Sequence, residues 1–340
     1  ESGFHAAAQA WRRLVKAGGV GVGLAATLGT SRLPPNTPVV TKDAVHVVHE
    51  ERLYTLAAAS GRVVRQVASA VRSVPEGSFV VGGVLCAATE GFALASGKLL
   101  WEHPRALETA FDGERLLLLR DQQFDVVDPV TGTLLRRHAG GRDLAIAESF
   151  ALVRDRRGGL VLYDLAGGTA RAVEPIAEPD AALAGNSGRF YFAEDERILV
   201  LDPRTLRVRS KNISGSISFP PAFLRGTKGA LLAYVRNFWG RTTLVAMDPF
   251  ELHELWAEND LRLSATTSRL VFSNVQTTLV ATDARTGQRR WRQSIGGNSE
   301  TLGVAATEEL LVTQDHAGVV VGVDIQSGAR RWRTELVRTE

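Results

Sequence analysis

Cysteine is nearly absent: Cys86 stands alone in 340 residues. No intrachain disulfide can form, which excludes a stapled mini-fold and leaves both oxidising and reducing compartments open. Cys86 lies in the apolar run Val84-Leu-Cys-Ala-Ala and is expected to behave as a small buried hydrophobe. Long hydrophobic runs are missing too. The glycine-rich stretch from Ala17 to Leu28 is too short and too weakly apolar to cross a membrane, so no transmembrane segment is expected. Lysine is scarce, 5 residues against 35 arginines, and the net charge is only +3 despite a pI of about 9.2. Asp and Glu interleave with Arg along the whole chain. A nucleic-acid groove requires basic residues clustered on one face, so nucleic acid is not an expected partner. No phosphate-cradling glycine loop, Gly-x-Ser-x-Gly elbow or Cys/His cluster occurs. The acids form no recognisable acid/base pair. What is present, 44% hydrophobic and 23% charged residues, suits a globular protein with a substantial core.

One turn signal recurs along the chain. It reads Asp-x-x-(Thr/Ser)-Gly after a short apolar run, often with a tryptophan four residues beyond the glycine. Asp283-Ala-Arg-Thr-Gly287 with Trp291 is the clearest copy, and Asp324-Ile-Gln-Ser-Gly328 with Trp332 is close to it. Asp128-Pro-Val-Thr-Gly132 and Asp164-Leu-Ala-Gly-Gly168 keep the turn without the Trp. Ala57-Ala-Ala-Ser-Gly61 and Ala93-Leu-Ala-Ser-Gly97 lose the Asp, though the latter keeps Trp101. Asp202-Pro-Arg-Thr-Leu206 and Asp248-Pro-Phe-Glu-Leu252 replace the glycine, and the second keeps Trp256. The eight copies are about 35 to 46 residues apart, a period that marks a repeat architecture. Leu resists the positive φ that Gly accepts, so the turns at Leu206 and Leu252 are expected to differ in backbone shape.

Within a repeat, four short strand-like runs alternate with turn residues, as in an antiparallel meander. Eight such units predict an all-β chain, an eight-bladed β-propeller of four-stranded antiparallel blades, whose radial repetition leaves only short sheet edges. Residues 36–340 form the propeller. Residues 1–35 stand apart from the repeat; Ala10-Trp11-Arg12 resembles the outer-strand pattern Arg290-Trp291-Arg292, which makes the segment a candidate closure strand. The eighth repeat already has its own Trp332 strand, so one strand is left over. The start at Glu1 rather than Met suggests a mature product or part of a longer chain.

The run Leu279-Val-Ala-Thr-Asp283-Ala-Arg-Thr-Gly287-Gln-Arg-Arg-Trp291 resembles the quinoprotein (PQQ)-type repeat, and the likeness extends from about Pro38 to Arg333. This repeat occurs in quinone-dependent alcohol dehydrogenases and in non-catalytic, BamB-like eight-bladed propellers. The resemblance implies that Trp101, Trp256, Trp291 and Trp332 dock one blade against the next, and it favours the periplasm or cell envelope. Dehydrogenases with this repeat are longer, bind calcium, and in many cases carry a vicinal disulfide. A chain with one cysteine and compact repeats matches none of those positions, so no catalytic residue and no cofactor is assigned.

Histidines give no metal site. His46 and His49 are three apart on a strand and point to opposite faces. His103 and His138 fall on outer strands, where solvation is the default. The function expected is a non-catalytic binding scaffold for protein, with a small polar ligand as the alternative occupant. Other readings are an extracytoplasmic sensor domain of a larger protein and, in third place, a dehydrogenase relative. The longest repeat places Arg236, Phe238, Trp239 and Arg241 in a polar loop between its second and third strands. Aromatics flanked by Arg are enriched at interface hot spots. With Asp315 and His316 they are the candidate partner-binding residues. The expected surface is the ring of loops joining second and third strands, opposite the glycine turns; it also includes Glu50, Arg52, Arg120, Asp121, Arg154, Arg156, Glu194, Asp195 and Gln276.

Overall fold

The structure, a computed structural model, describes residues 37–71, 74, 78–174, 176–177, 181–186, 188–194, 196–213, 216–217, 222–223, 231–236, 242–259, 263–275, 278–294 and 303–336. Among these it is all-β: eight antiparallel sheets follow one another along the chain as the blades of a propeller. Blade 1 spans residues 39–68, blade 2 79–102, blade 3 108–139, blade 4 143–173, blade 5 182–212, blade 6 216–259, blade 7 263–294 and blade 8 303–335. Seven blades have four strands. In blade 6 the first strand is split into Ser216–Ile217 and Ala222–Phe223, both paired with Leu231–Arg236, which uses part of the extra length of the longest repeat. Residues 1–35 lie outside the described residues.

First strands of successive blades lie against each other, so they surround the ring axis. Second strands are apolar and buried on both faces, as in Leu116–Leu119. Fourth strands form the outer rim; Arg289–Ser294 and Arg330–Glu335 set charged residues outward around one tryptophan each. The core is accordingly a set of layers between blades rather than one centre. Val45, Tyr54 and Leu56 of blade 1 pack on Leu310, Val312 and Trp332 of blade 8, and Phe190 and Phe192 of blade 5 on Leu152, Leu160 and Leu162 of blade 4.

The six turn motifs that keep the Asp have a mechanical reading. The Asp side chain accepts from two backbone amides ahead of it: Asp283 Oδ1 from Arg285 N at 3.1 Å and Thr286 N at 3.0 Å. The fifth residue closes the turn, Gly287 N donating to Asp283 O at 2.9 Å with φ +70°. The expectation for Leu206 and Leu252 is corrected here. Both have φ +57°, and their amides donate to Asp202 O at 2.8 Å and Asp248 O at 2.9 Å, as in the glycine copies. The Asp bonds and strand register impose the turn, and Leu accepts a strain of roughly 1–2 kcal/mol to complete it. Leu252 offsets that strain by burying its side chain beside Tyr191, Val200 and Met247.

The turn glycine is also a docking site for the preceding blade. A Cβ on Gly132, Gly287, Gly328 or Gly61 would strike the indole of Trp101, Trp256, Trp291 or Trp332 respectively, 2.7 Å from Trp256 Cγ in the second case. Each Trp faces a small residue on its own third strand, Gly91, Ala246, Ala281 or Gly322, which accounts for the small residue two places before the Asp-equivalent position. Trp256, Trp291 and Trp332 donate from Nε1 to Ala284 O, Ile325 O and Ala58 O at 2.8, 2.7 and 2.8 Å. Trp101 and Trp332 are buried, whereas Trp256 and Trp291 are half-buried, less enclosed than the repeat position suggested. Where Trp is missing the same carbonyl finds another donor. Tyr191 Oη donates to Pro249 O at 3.0 Å, Arg171 to Pro203 O, and the Arg136 guanidinium lies over Gly168. Among the described residues the ring closes through the blade 8 to blade 1 contact: the Trp332 bond, Thr334 Oγ1 to Gly61 O at 2.7 Å and Gln314 Nε2 to Val48 O at 3.0 Å.

Candidate partner-binding face

Hydrogen bonds separate the two faces of the ring. On one, the turns between third and fourth strands meet the loops between first and second strands, as in Ala58 N to Asp43 O and Ala284 N to Arg269 O. On the other, loops between second and third strands meet the crossovers to the next blade. Ser69 N donates to Glu51 O, Gly141 N to Arg120 O, Ile213 N to Glu196 O and Leu336 N to Gly318 O. Glu50 and Glu51 turn at φ 45° and 60°.

Arg236 ends the second strand of blade 6, pairing with Ser216 and Thr242, and so opens a loop on this second face. Its register position is the one Arg154 holds opposite Asp143 in blade 4. Phe238, Trp239 and Arg241 lie outside the described residues, as do Asp195 and Gln276. Asp315 and His316 are on the same face, but two blades from Arg236. Asp315 Oδ1 accepts from Val319 N at 2.8 Å, so its carboxylate shapes its own loop, while His316 is exposed.

Sequence reasoning set Arg120, Asp121, Arg154 and Arg156 on the exposed ring; Arg154 is corrected here, because it belongs to a buried polar centre in blades 3 and 4. Arg154 is buried at 1% exposure, donating from Nε to Asp143 Oδ2 at 2.6 Å and to Ala181 O. Burial lowers its pKa, and Asp143 opposes that shift. Glu108 Oε2 accepts from Leu144 N at 2.6 Å, tying blade 3 to the first strand of blade 4. Asp125 is shared by Arg120 and Arg137, the latter donating from Nε at 2.7 Å. Arg156 pairs with Asp121 across two adjacent loops. Of these pairs Arg154–Asp143 is buried on both sides, so losing one member leaves an uncompensated charge and the pair fixes the two strands that carry it. Its only sequence signal is charge at the ends of apolar strands, Arg142-Asp143 and Arg154, which reads equally well as solvated strand ends.

The histidines differ from expectation in environment. His46 is buried with Nδ1 3.2 Å from Thr55 Oγ1, and burial lowers its pKa to about 4. His103 Nε2 lies 2.9 Å from Gly132 O, bridging blades 2 and 3, and His138 packs on Phe124 and Tyr163 rather than in open solvent. The Cys86 thiol is buried and pushed up to about 12, which keeps it protonated. Among the described residues no three His, Cys, Asp or Glu side chains are grouped to hold a metal, and no helix is long and apolar enough to cross a membrane.

Residues 233–339 match the family model described as outer membrane protein assembly factor BamB. These are most of blade 6 and the two blades after it, the part where every turn is followed by its tryptophan. No curated protein matches the sequence significantly. Among solved structures, the chain is similar to BamB from Moraxella catarrhalis, with TM-score 0.55 and 15% identity over 87% of this chain and 96% of that one. It is also similar to apo AztD from Citrobacter koseri, with TM-score 0.60 and 11% identity over 86% and 94% of the two chains. At these identities the likeness is one of fold.

Proposed function

We propose that this BamB-like repeat propeller is a non-catalytic scaffold that binds a protein partner on the face of the second-to-third-strand loops. The observation that carries this reading is the difference in what the loops of the two faces do, since exposed charges of both signs occur on both, Arg204 and Glu148 on the turn face. The turn motifs on one face are occupied in docking successive blades. The loops on the other carry solvent-exposed charges of both signs, Arg156 and Asp121 among them, standing on a rigid buried network. Mixed charge over a fixed backbone suits a protein interface, where complementary charges set orientation and encounter rate. The description of the matched family as an assembly factor supports a protein partner.

Photo-crosslinking residues placed singly at Asp121, Arg156 and His316, and on the opposite face at Arg285 and Gln326, test the reading in cells. A discrete adduct common to the first three and absent from the last two is expected. Adducts confined to Arg285 and Gln326 refute it. Addition of pyrroloquinoline quinone is expected to give neither a bound-quinone absorbance change nor dye reduction with alcohols, and either signal would refute the non-catalytic part.

A further inference from the structure

We propose that Arg142 is the anchor on this face, taking a carboxylate of an acidic partner segment with the Nε–Nη2 edge of its guanidinium. The inference rests on the reading of the loop face as the partner surface and specifies its chemistry.

Arg142 sits in the crossover from blade 3 to blade 4, immediately before the first strand of blade 4, and therefore beside the ring axis. Its backbone is fixed, Arg142 N donating to Arg154 O at 2.8 Å while the preceding Gly141 N donates to Arg120 O at 3.2 Å. Its side chain is held far less firmly. Nε and Nη2 are shielded from solvent, yet neither makes a hydrogen bond. The acid beside it is Asp143, whose Oδ2 is 3.3 Å from Arg142 Nε but already accepts from Arg154 at 2.6 Å.

The other arginines of this cluster are committed. Arg154 has Asp143, Arg156 has Asp121, and Arg120 and Arg137 share Asp125. Arg142 shares Asp143 with Arg154 and holds the longer contact, an ion pair at 3.3 Å without a hydrogen bond. Unbonded guanidinium N–H groups out of water are costly and call for a partner. The side chain as a whole retains 32% exposure, so it can turn toward solvent, and turning gives up only the 3.3 Å ion pair with Asp143 and no hydrogen bond at Nε or Nη2. These two nitrogens form one edge of the planar group, and their parallel N–H bonds match the two oxygens of a carboxylate. Lysine has no such edge.

The test uses the full chain and a fluorescein-labelled peptide of alternating Gly and Glu, with its Gly-Gln counterpart, followed by anisotropy at physiological salt. The Glu peptide is expected to bind, the Gln peptide not, and R142Q to weaken binding about tenfold, the value of a charge-assisted pair. R142K is expected to recover only part of the loss, and R285Q, on the opposite face, to change it less than twofold. Unchanged melting temperatures identify the losses as local. Equal binding by R142Q, equal binding of the Gln peptide, no binding by the wild type, or displacement by equimolar inorganic phosphate overturns the proposal. Crosslinking separates this failure from that of the broader reading. Loop-face adducts undiminished in R142Q sink the anchor and leave the binding face standing, whereas adducts from the opposite face alone sink both.

Discussion

Leu206 and Leu252 close the same turn at the same φ of +57°, yet glycine should be tolerated at one and damaging at the other. Glycine relieves a left-handed strain of about 1–2 kcal/mol at each site. It gives back about 0.5–1 kcal/mol by freeing the unfolded chain. The remaining term is burial. Leu206 is 36% exposed and loses little packing, on the order of 1 kcal/mol, when truncated. Leu252 is 2% exposed within the cluster of Tyr191, Val245 and Met247, where removal of Leu costs about 2–5 kcal/mol. Leu206→Gly is therefore expected within about 1 kcal/mol of wild type, and Leu252→Gly about 2 kcal/mol or more below it. Urea denaturation gives both values, and hydrogen exchange along residues 244–259 localises the second. If Leu206→Gly loses as much as Leu252→Gly, burial does not decide the response of this turn and the reasoning is wrong.

Two further outcomes follow from the blade junctions and the buried imidazole. Trp332→Phe loses ring packing and the Nε1 bond to Ala58 O, whereas Trp101→Phe loses packing alone because its Nε1 is buried without a partner, so Trp101→Phe should cost about 1–2 kcal/mol less than Trp332→Phe in the same melt; a larger loss at Trp101 contradicts this. His46 is buried neutral with its pKa lowered to about 4 from 6.5, so its contribution is intact above pH 6.5 and is lost as pH falls toward 4. That loss amounts to as much as about 3 kcal/mol, and His46→Gln should flatten the stability profile in this window; an unchanged slope excludes His46 as its source.

The repeat was legible because its determinants are local. An Asp that caps the two amides ahead of it, a fifth residue in the left-handed region and a Trp four places on all lie within nine residues, so each turn could be recognised locally, and counting the eight copies gave the blade number and the all-β class. Strand alternation, equally local, was enough to set His46 and His49 on opposite faces. Tertiary structure decided what depends on residues distant in the chain. Leu206 and Leu252 adopt the glycine conformation because register and Asp bonds outweigh an intrinsic preference. Arg136 covers Gly168 where no tryptophan follows the turn, because a planar guanidinium can lie over the same flat site. Arg154 is a core residue only because Asp143, eleven positions away, and Ala181, in the run leading into the next blade, come round to it. Whether an arginine is solvated, paired or left with open donors is set by the neighbours that blade stacking supplies, and no pattern along the strand encodes them.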